Sequence, residues 1–180
     1  MPIYIAMLRG INVSGQKIIK MDRLRETFES LGFGGVQTYI QSGNVVFKSA
    51  KVSAQALAQK IAAKILADFT FSVSVLVRTP EELGLVLKHN PLLKQPGIDE
   101  VRLHVTFLSE PAPETAEEIL KPLVAKSECF SICGREIYLY CPDGYGKTKL
   151  SNCVVEKKLS VQATTRNWHT ANVLFDMTRP

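Results

Sequence analysis

The stretch Val36–Phe47 restricts the fold of this chain more than any other segment. Apolar and polar residues alternate on both sides of Ser42-Gly43-Asn44, where glycine and asparagine accept positive φ at little cost. This pattern predicts a β-hairpin. The segments before and after the hairpin complete a module in the order strand, helix, hairpin, helix, strand.

The flanking segments each carry a clear periodicity. Ile3–Leu8 has apolar residues on both faces, which is typical of a central strand with both sides of its sheet covered. Apolar residues between Met21 and Leu31 fall on one helical face, and Ser53 is a suitable N-cap for a second helix. With a further strand at 71–78, the order βαββαβ is that of a ferredoxin-like fold.

A polar segment with proline and glycine, residues 94–100, predicts a boundary between two halves of the chain. Before this segment, Thr79 and Glu82 form a capping box at the start of another helix. We therefore expect a first half at residues 1–92 and a second half at residues 93–180.

The second half repeats the order of the first. We expect a strand at Val101–Leu108 and a helix that begins at Thr115. A hairpin about Gly134 and a helix at about Thr148–Leu159 should follow. A final helix, Arg166–Met177, with Thr164 or Thr165 as its cap, is expected in place of a last strand. The predicted fold class is α+β, with two ferredoxin-like halves related by structural duplication and the second half modified with extra C-terminal helices.

The charge of the chain permits an anionic partner. The formal net charge is +5, and residues 144–180 carry six lysines and arginines against two acidic residues. No apolar run approaches the roughly 18 residues of a membrane-spanning helix, and the N-terminus lacks the features of a signal peptide. The four cysteines lack the spacing of a zinc site. We therefore expect reduced thiols, no metal site, no membrane partner and a cytoplasmic location.

The loop after the first strand is a candidate anion site. Gly10, Asn12 and Gly15 can form a nest of backbone N–H groups, with Arg9 and Lys17 supplying positive charge. The alternative is a turn that needs its glycines only for positive φ.

A second candidate anion site is the segment from Cys141 to Thr148. Its end, Gly146-Lys147-Thr148, matches the end of the phosphate-loop pattern, but Cys141 stands where the first glycine belongs. This departure disfavours a nucleotide triphosphatase. Two glycines, Lys147 and a helix N-terminus still predict a cradle for a phosphate or carboxylate, and the alternative is a flexible surface turn.

Three aromatic residues each have two interpretations. Tyr4 and Phe47 could stack RNA bases on an open sheet face, but packing in the core is favoured. Trp168 could be a stacking platform beside Arg166, but packing inward with Ala171 is favoured.

The residues that usually carry catalysis form no pattern. His89, His104 and His169 are scattered, without a zinc-protease motif or a nucleophile elbow. The sequence therefore indicates no reaction, no catalytic residue and no cofactor, and whether the chain is an enzyme stays open.

Five motifs together resemble one protein family. They are Leu8–Val13, Thr38–Phe47, Tyr145–Asn152, Glu156–Leu159 and Ala163–Trp168, and they follow in order over nearly the whole chain. The chain resembles the bacterial family called domain of unknown function 1697. The resemblance implies a small cytosolic bacterial α/β protein, with no established activity to transfer, whose signature stretches are these polar motifs. It directs attention to one polar site formed by Arg9, Asn12, Ser42, Asn44, Lys147, Lys149, Arg166 and Asn167. With Gly10 and Gly146 of the two candidate anion loops, these residues make up the predicted ligand site.

Three functions fit these residues. The first is binding of an anionic, phosphate-bearing small ligand in a cleft between the two halves. The second is nucleic-acid binding by the basic C-terminal region, with an affinity that falls steeply with salt. The third is an enzyme acting on a phosphorylated substrate, in which Lys147 or Arg166 stabilises developing charge. The first and third functions need the same residues, so the sequence does not distinguish them. It also does not specify the oligomeric state or the arrangement of the two sheets.

Overall fold

The computed structural model describes residues 1–179. The first strand of the chain has a neighbouring strand on each side, as predicted for a central strand. This strand, β1 (Ile3–Leu8), pairs antiparallel with β3 (Asn44–Lys48) on one side and with β4 (Val75–Arg78) on the other. The strand β2 (Gly34–Tyr39) pairs with β3, so the order is β2-β3-β1-β4. Side chains on both faces of β1 are buried, as a central strand requires.

Two helices cover one face of this sheet. They are α1 (Met21–Ser30) and α2 (Ala54–Phe69), and Ser53 Oγ accepts the N–H of Ala56 at 3.2 Å as the predicted N-cap of α2. The core under the helices includes Tyr4 and Phe47, whose ring centroids lie 5.9 Å apart. Because both rings are buried, core packing is confirmed for these aromatics and base stacking is excluded.

A second four-stranded antiparallel sheet forms from the later residues. Its strands are β5 (Leu103–Leu108), β6 (Cys129–Cys133), β7 (Glu136–Tyr140) and β8 (Ala163–Asn167), in the order β6-β7-β5-β8. The chain is therefore a mixed α+β protein with two four-stranded antiparallel sheets, each with helices.

The prediction for the end of the second half is wrong in one respect. Residues from Ala163 to Asn167 form a strand paired with β5, and the last helix, α6 (Trp168–Asp176), begins only after it. Asn167 Oδ1 accepts the N–H of Thr170 at 2.7 Å, so Asn167, rather than Thr164 or Thr165, caps the helix. Neighbouring β-branched threonines suit an extended strand, which explains why this segment pairs with β5.

The two helices packed on the second sheet are shorter than those on the first. The first, α4 (Ala116–Leu120), continues as a 3-10 turn at Lys121–Leu123, where Pro122 cannot continue the hydrogen bonds of an α-helix. The second, α5 (Asn152–Leu159), begins four residues after the predicted start at Thr148. Ser151 is its N-cap, because Ser151 Oγ accepts the N–H of Val154 at 3.4 Å.

The chain divides into two compact units. The first unit contains residues 1–84 and the segment from Leu174 onward, and the second contains residues 85–173. These boundaries fall within α3 (Pro80–Lys88) and within α6. The boundary predicted at residues 92 and 93 stays a prediction about domains.

Two local predictions for the helices that cross these boundaries are confirmed. At the start of α3, Glu82 donates its N–H to Thr79 Oγ1 at 3.2 Å, and Glu82 Oε2 accepts the N–H of Thr79 at 2.9 Å. This is the predicted capping box. At the start of α6, Trp168 is buried, as is Ala171 one turn later, so the tryptophan packs inward.

Several structural features bear on the function classes. Within residues 1–179, every helix is too short or too polar to cross a membrane. The four cysteines, all in this range, carry free thiols, and the described residues contain no cluster of His, Cys, Asp and Glu that could hold a metal ion.

Candidate functional site

The predicted site residues of the first unit lie in two neighbouring loops. Asn12, in the loop after β1, donates its amide hydrogens to the carbonyl oxygens of Ile19 and Gln41 at 2.9 and 2.8 Å. Its Oδ1 accepts the N–H of Ile19 at 2.8 Å. One side chain thus ties the ends of its own loop together and joins the loop to the hairpin turn.

The hairpin turn is held by a second asparagine. Asn44 is fully buried, and its Nδ2 donates to the carbonyl of Tyr39 at 3.1 Å and to Ser42 Oγ at 2.9 Å. Between them, Gly43 has φ of +82°, and its carbonyl accepts the N–H of Leu8 at 2.8 Å. The contacts of Asn12, Ser42 and Asn44 therefore account for the fold of these loops.

The two remaining first-unit candidates complete this loop. The N–H of Arg9 donates to the carbonyl of Ser74 at 2.9 Å, which places Arg9 beside the strand that follows α2. Gly10 has φ of +69° with open space where a side chain would stand. Gly10 therefore allows the backbone to turn, which fits the alternative prediction that the glycines of this loop serve only the turn.

The predicted phosphate loop of the second unit is closed by its own hydrogen bonds. The N–H groups of Lys147 and Thr148 donate to the carbonyls of Gly144 and Tyr145 at 3.1 and 3.3 Å, forming a 3-10 turn around Gly146. Because α5 begins only at Asn152, no helix N-terminus adjoins this turn. The N–H groups of Lys147 and Thr148 are thus used by the turn itself, and the side chain of Lys147 is exposed. The anion cradle at this turn stays a prediction.

A network of hydroxyl groups joins this turn to β8. Thr165 Oγ1 donates to Asn152 Oδ1 at 2.7 Å and accepts from the hydroxyl of Tyr145 at 3.0 Å. Thr106 Oγ1, on the strand paired with β8, lies 2.7 Å from the same atom. A threonine hydroxyl has one proton, and that of Thr165 goes to Asn152, so Thr106 is the donor in this pair. The hydroxyl of Thr165 is thereby saturated.

The other two candidates of the second unit lie on β8. Arg166 is buried and donates to Thr164 Oγ1 at 2.8 Å and to the carbonyl of Thr165 at 2.9 Å. Burial lowers the pKa of Arg166 to about 10, so the guanidinium stays charged at neutral pH. Asn167 uses its Oδ1 as the cap of α6. Both residues therefore have structural contacts of their own.

His104 is a titratable residue in this region to which the sequence gives no role. Its ring stacks on that of Tyr145, with centroids 5.1 Å apart and an interplanar angle of 27°. Burial lowers the pKa of His104 below its ordinary value of 6.5, and the positive charge of Arg102 adds to this, while the Arg102 carbonyl, 3.3 Å from Nδ1, opposes it. The imidazole is therefore mostly neutral at neutral pH.

A cavity of about 430 Å³ lies beside α5 in the second unit. Val154, Lys157 and Lys158 line it from one face of the helix, since they are three and four residues apart. The remaining lining residues are Leu123, Thr148, Lys149 and Ser151. The volume falls in the range of roughly 300 to 1,000 Å³ typical of small-molecule sites.

The lining of this cavity has charge of one sign. It contains three lysines and no acidic residue. All three lysines are exposed, and within residues 1–179 none of them forms an ion pair or a side-chain hydrogen bond. Of the ten residues of the predicted ligand site only Lys149 lines this cavity, together with Thr148 from the end of the second candidate anion segment.

The comparisons with known proteins place the chain in a family. A family model described as "Protein of unknown function (DUF1697)" matches residues 1–138. The chain belongs to the DUF1697 family. The resemblance stated from the sequence motifs is thereby confirmed. The cavity residues other than Leu123 follow the matched range.

One solved structure extends the similarity over the whole chain. The chain is similar to the conserved bacterial protein SP0830 from Streptococcus pneumoniae, with 25% identity, a TM-score of 0.76 and 99% of each chain covered. A search of curated proteins finds no match. The names of the family and of this solved structure state no ligand and no reaction.

Sequence reasoning missed Lys157, Lys158 and Leu123 as members of one site. The sequence assigns the two lysines to the basic end of the chain and to the motif Glu156–Leu159, but not to the ligand site. Their spacing from Val154 is the signal that could have grouped them, because residues three and four apart share a helix face. Leu123 lies far away in the sequence and joins the cavity only through tertiary packing.

Proposed function

We propose that the second unit binds a small phosphate-bearing anion in the lysine-lined cavity beside α5. The observation that supports this most is the lining itself, in which Lys149, Lys157 and Lys158 have no carboxylate partner among the described residues. Three like charges around one space repel each other, and a bound anion relieves this repulsion. Phosphate oxygens also accept hydrogen bonds from ammonium and hydroxyl groups.

The hydroxyl of Ser151 supports the same ligand. Thr148 Oγ1 accepts the N–H of Leu150 at 3.2 Å, and Ser151 Oγ accepts the N–H of Val154 at 3.4 Å. The hydroxyl proton of Ser151 can therefore be given to an anion, whereas that of Thr148 is directed to Cys141. A ligand role of Arg9, Asn12 and Arg166 stays a prediction from the sequence.

Titration calorimetry with inorganic phosphate and sugar phosphates tests this function. We expect Lys149→Ala to weaken binding about fivefold, since an exposed charge pair contributes up to about 1 kcal/mol. The triple variant with Lys157→Ala and Lys158→Ala should lose detectable binding. Lys94→Ala, which removes an exposed charge outside the cavity, is the matched control. Equal affinity in the wild type and the triple variant would refute the proposal.

The same titrations separate the alternative functions. Nucleic-acid binding by the same exposed lysines predicts that a short oligonucleotide binds and that its affinity falls steeply with salt, because phosphate contacts release counterions. An enzyme acting on a phosphorylated substrate predicts turnover of a phosphate ester bound in the cavity. Binding of a small phosphate without turnover or oligonucleotide binding favours the ligand-binding function.

We further propose that the two units are ferredoxin-like copies of one module. Each first strand has six residues, and its third residue, Ile5 or Val105, pairs with a buried arginine, Arg78 or Arg166. In each unit the residue after that arginine caps a helix. Both sheets also have the same strand order when the strands of each unit are numbered along the chain: second, third, first, fourth. On this proposal α6 is the counterpart of α3 rather than an addition.

The free cysteines fit a cytoplasmic location.

A further inference from the structure

The cavity beside α5 has an apolar part that a bare phosphate would leave uncovered. Leu123 and Val154 are both partly exposed and line the same space as the three lysines. Because apolar side chains gain free energy when they are removed from water, a ligand that covers them binds more tightly.

The polar part of the lining has few groups that can accept a hydrogen bond. Ammonium groups are donors only, and each of the two hydroxyl oxygens already accepts a backbone N–H. The hydroxyls of a sugar need acceptors as well as donors. The side chains of this cavity are therefore poorly suited to a sugar or another ligand with many hydroxyl groups.

We infer that the ligand is an amphiphilic monoester, in which a phosphate binds the lysines and a short hydrocarbon group covers Leu123 and Val154. This rests on the proposed function and adds the chemical class of the ligand. The cavity of about 430 Å³ is large enough for both parts, because a single phosphate fills only a small fraction of such a volume.

A series of phosphate monoesters of increasing chain length tests this inference. Inorganic phosphate, ethyl phosphate, butyl phosphate and a hexose phosphate are titrated into the full chain, with 1-butanol as the control for non-specific apolar binding. We expect up to about fourfold tighter binding for each added methylene that is fully buried. Butyl phosphate should therefore bind about tenfold more tightly than ethyl phosphate, and the hexose phosphate no more tightly than inorganic phosphate.

The double variant Leu123→Gln/Val154→Thr keeps the side-chain volumes but makes this part of the cavity polar. It should abolish the increase in affinity with chain length. Leu66→Gln/Val101→Thr changes two exposed apolar residues elsewhere and should leave the whole series unchanged.

The outcomes distinguish the two levels of the proposal. If inorganic phosphate binds but the affinity does not rise with chain length, the amphiphilic class is wrong and the phosphate site stands. Tighter binding of the hexose phosphate than of butyl phosphate also overturns the class. If no phosphate compound binds, the proposed function fails and the inference fails with it.

Discussion

The loops of the two units use their polar side chains in different ways. In the first unit, Asn12 and Asn44 direct their amides mainly to backbone carbonyls and so fix the loop after β1 and the hairpin turn. In the second unit, a network around Thr165 fixes the turn before α5, while Lys149, Lys157 and Lys158 keep their charges available. A polar motif therefore marks a binding site only where its groups are not already used by the fold.

The largest effect is expected at the hairpin turn of the first unit. A Cβ at Gly43 would stand 2.7 Å from Leu8 Cβ and 2.9 Å from Ile11 Cδ1, in a backbone conformation with φ of +82°. Gly43→Ala should lower the free energy of unfolding by about 3 kcal/mol, measured by urea denaturation. Gly10→Ala, where φ is +69° but no atom lies within 4 Å, should lower it by only about 1 kcal/mol. Equal losses would show that the close contacts at Gly43 relax freely.

A smaller loss is expected in the network of the second unit. Thr165→Val keeps the shape of the side chain but removes the hydroxyl shared by Asn152, Tyr145 and Thr106. Unfolding should require about 2 kcal/mol less, because buried polar groups lose their partners. Thr38→Val, in a strand without such a network, should change stability by less than about 0.5 kcal/mol. A neutral Thr165→Val variant would mean that the network is dispensable for the fold.

A gain in stability is expected from one strained residue in the first unit. Ile40 has φ of +49°, a region that disfavours β-branched side chains, and its side chain is half exposed. Ile40→Asn should raise the free energy of unfolding by about 1 kcal/mol, since asparagine tolerates this conformation. Ile18→Asn, at an equally exposed site with negative φ, serves as the control. A loss of stability in Ile40→Asn would indicate that packing of the buried half of the isoleucine contributes more free energy than the backbone strain costs.

The smallest effect is a pH dependence from His104. Its folded pKa lies below the ordinary 6.5 because burial disfavours the imidazolium, so the unfolded chain binds more protons in that range. Stability should therefore be complete above pH 6.5 and decrease as the pH falls toward the folded pKa. Chemical denaturation of wild type and His104→Gln between pH 5 and pH 8 should show this slope in the wild type alone. An identical slope in both proteins would assign it to other groups.

Local rules predicted much of the fold. The six residues of β1, the cap at Ser53 and the capping box of Thr79 and Glu82 follow from patterns within one element. The strand β8 was missed because its pairing with β5 joins residues more than 50 positions apart, while a helix-like pattern starts at Trp168. Long-range pairing overrides a local signal.

The candidate site was less predictable than the fold. Sequence motifs pointed to Lys147 and Lys149, but which lysine lines a cavity depends on how α5 packs beside the turn that holds Leu123. In the same way, the hydrogen bond from Asn12 to the carbonyl of Gln41 depends on contact between the loop after β1 and the hairpin turn. A motif specifies the residue types present, and tertiary contacts decide which of them remain available.

The most direct test of the difference between the two loop regions compares Lys149→Ala with Asn12→Ala. Phosphate titration and urea denaturation are carried out on both variants and on the wild type. Lys149→Ala should weaken phosphate binding about fivefold with stability unchanged. Asn12→Ala should lose about 2 kcal/mol of stability and bind phosphate as the wild type does. Normal phosphate binding by Lys149→Ala, or loss of binding by folded Asn12→Ala, would contradict the assignment of the site to the second unit.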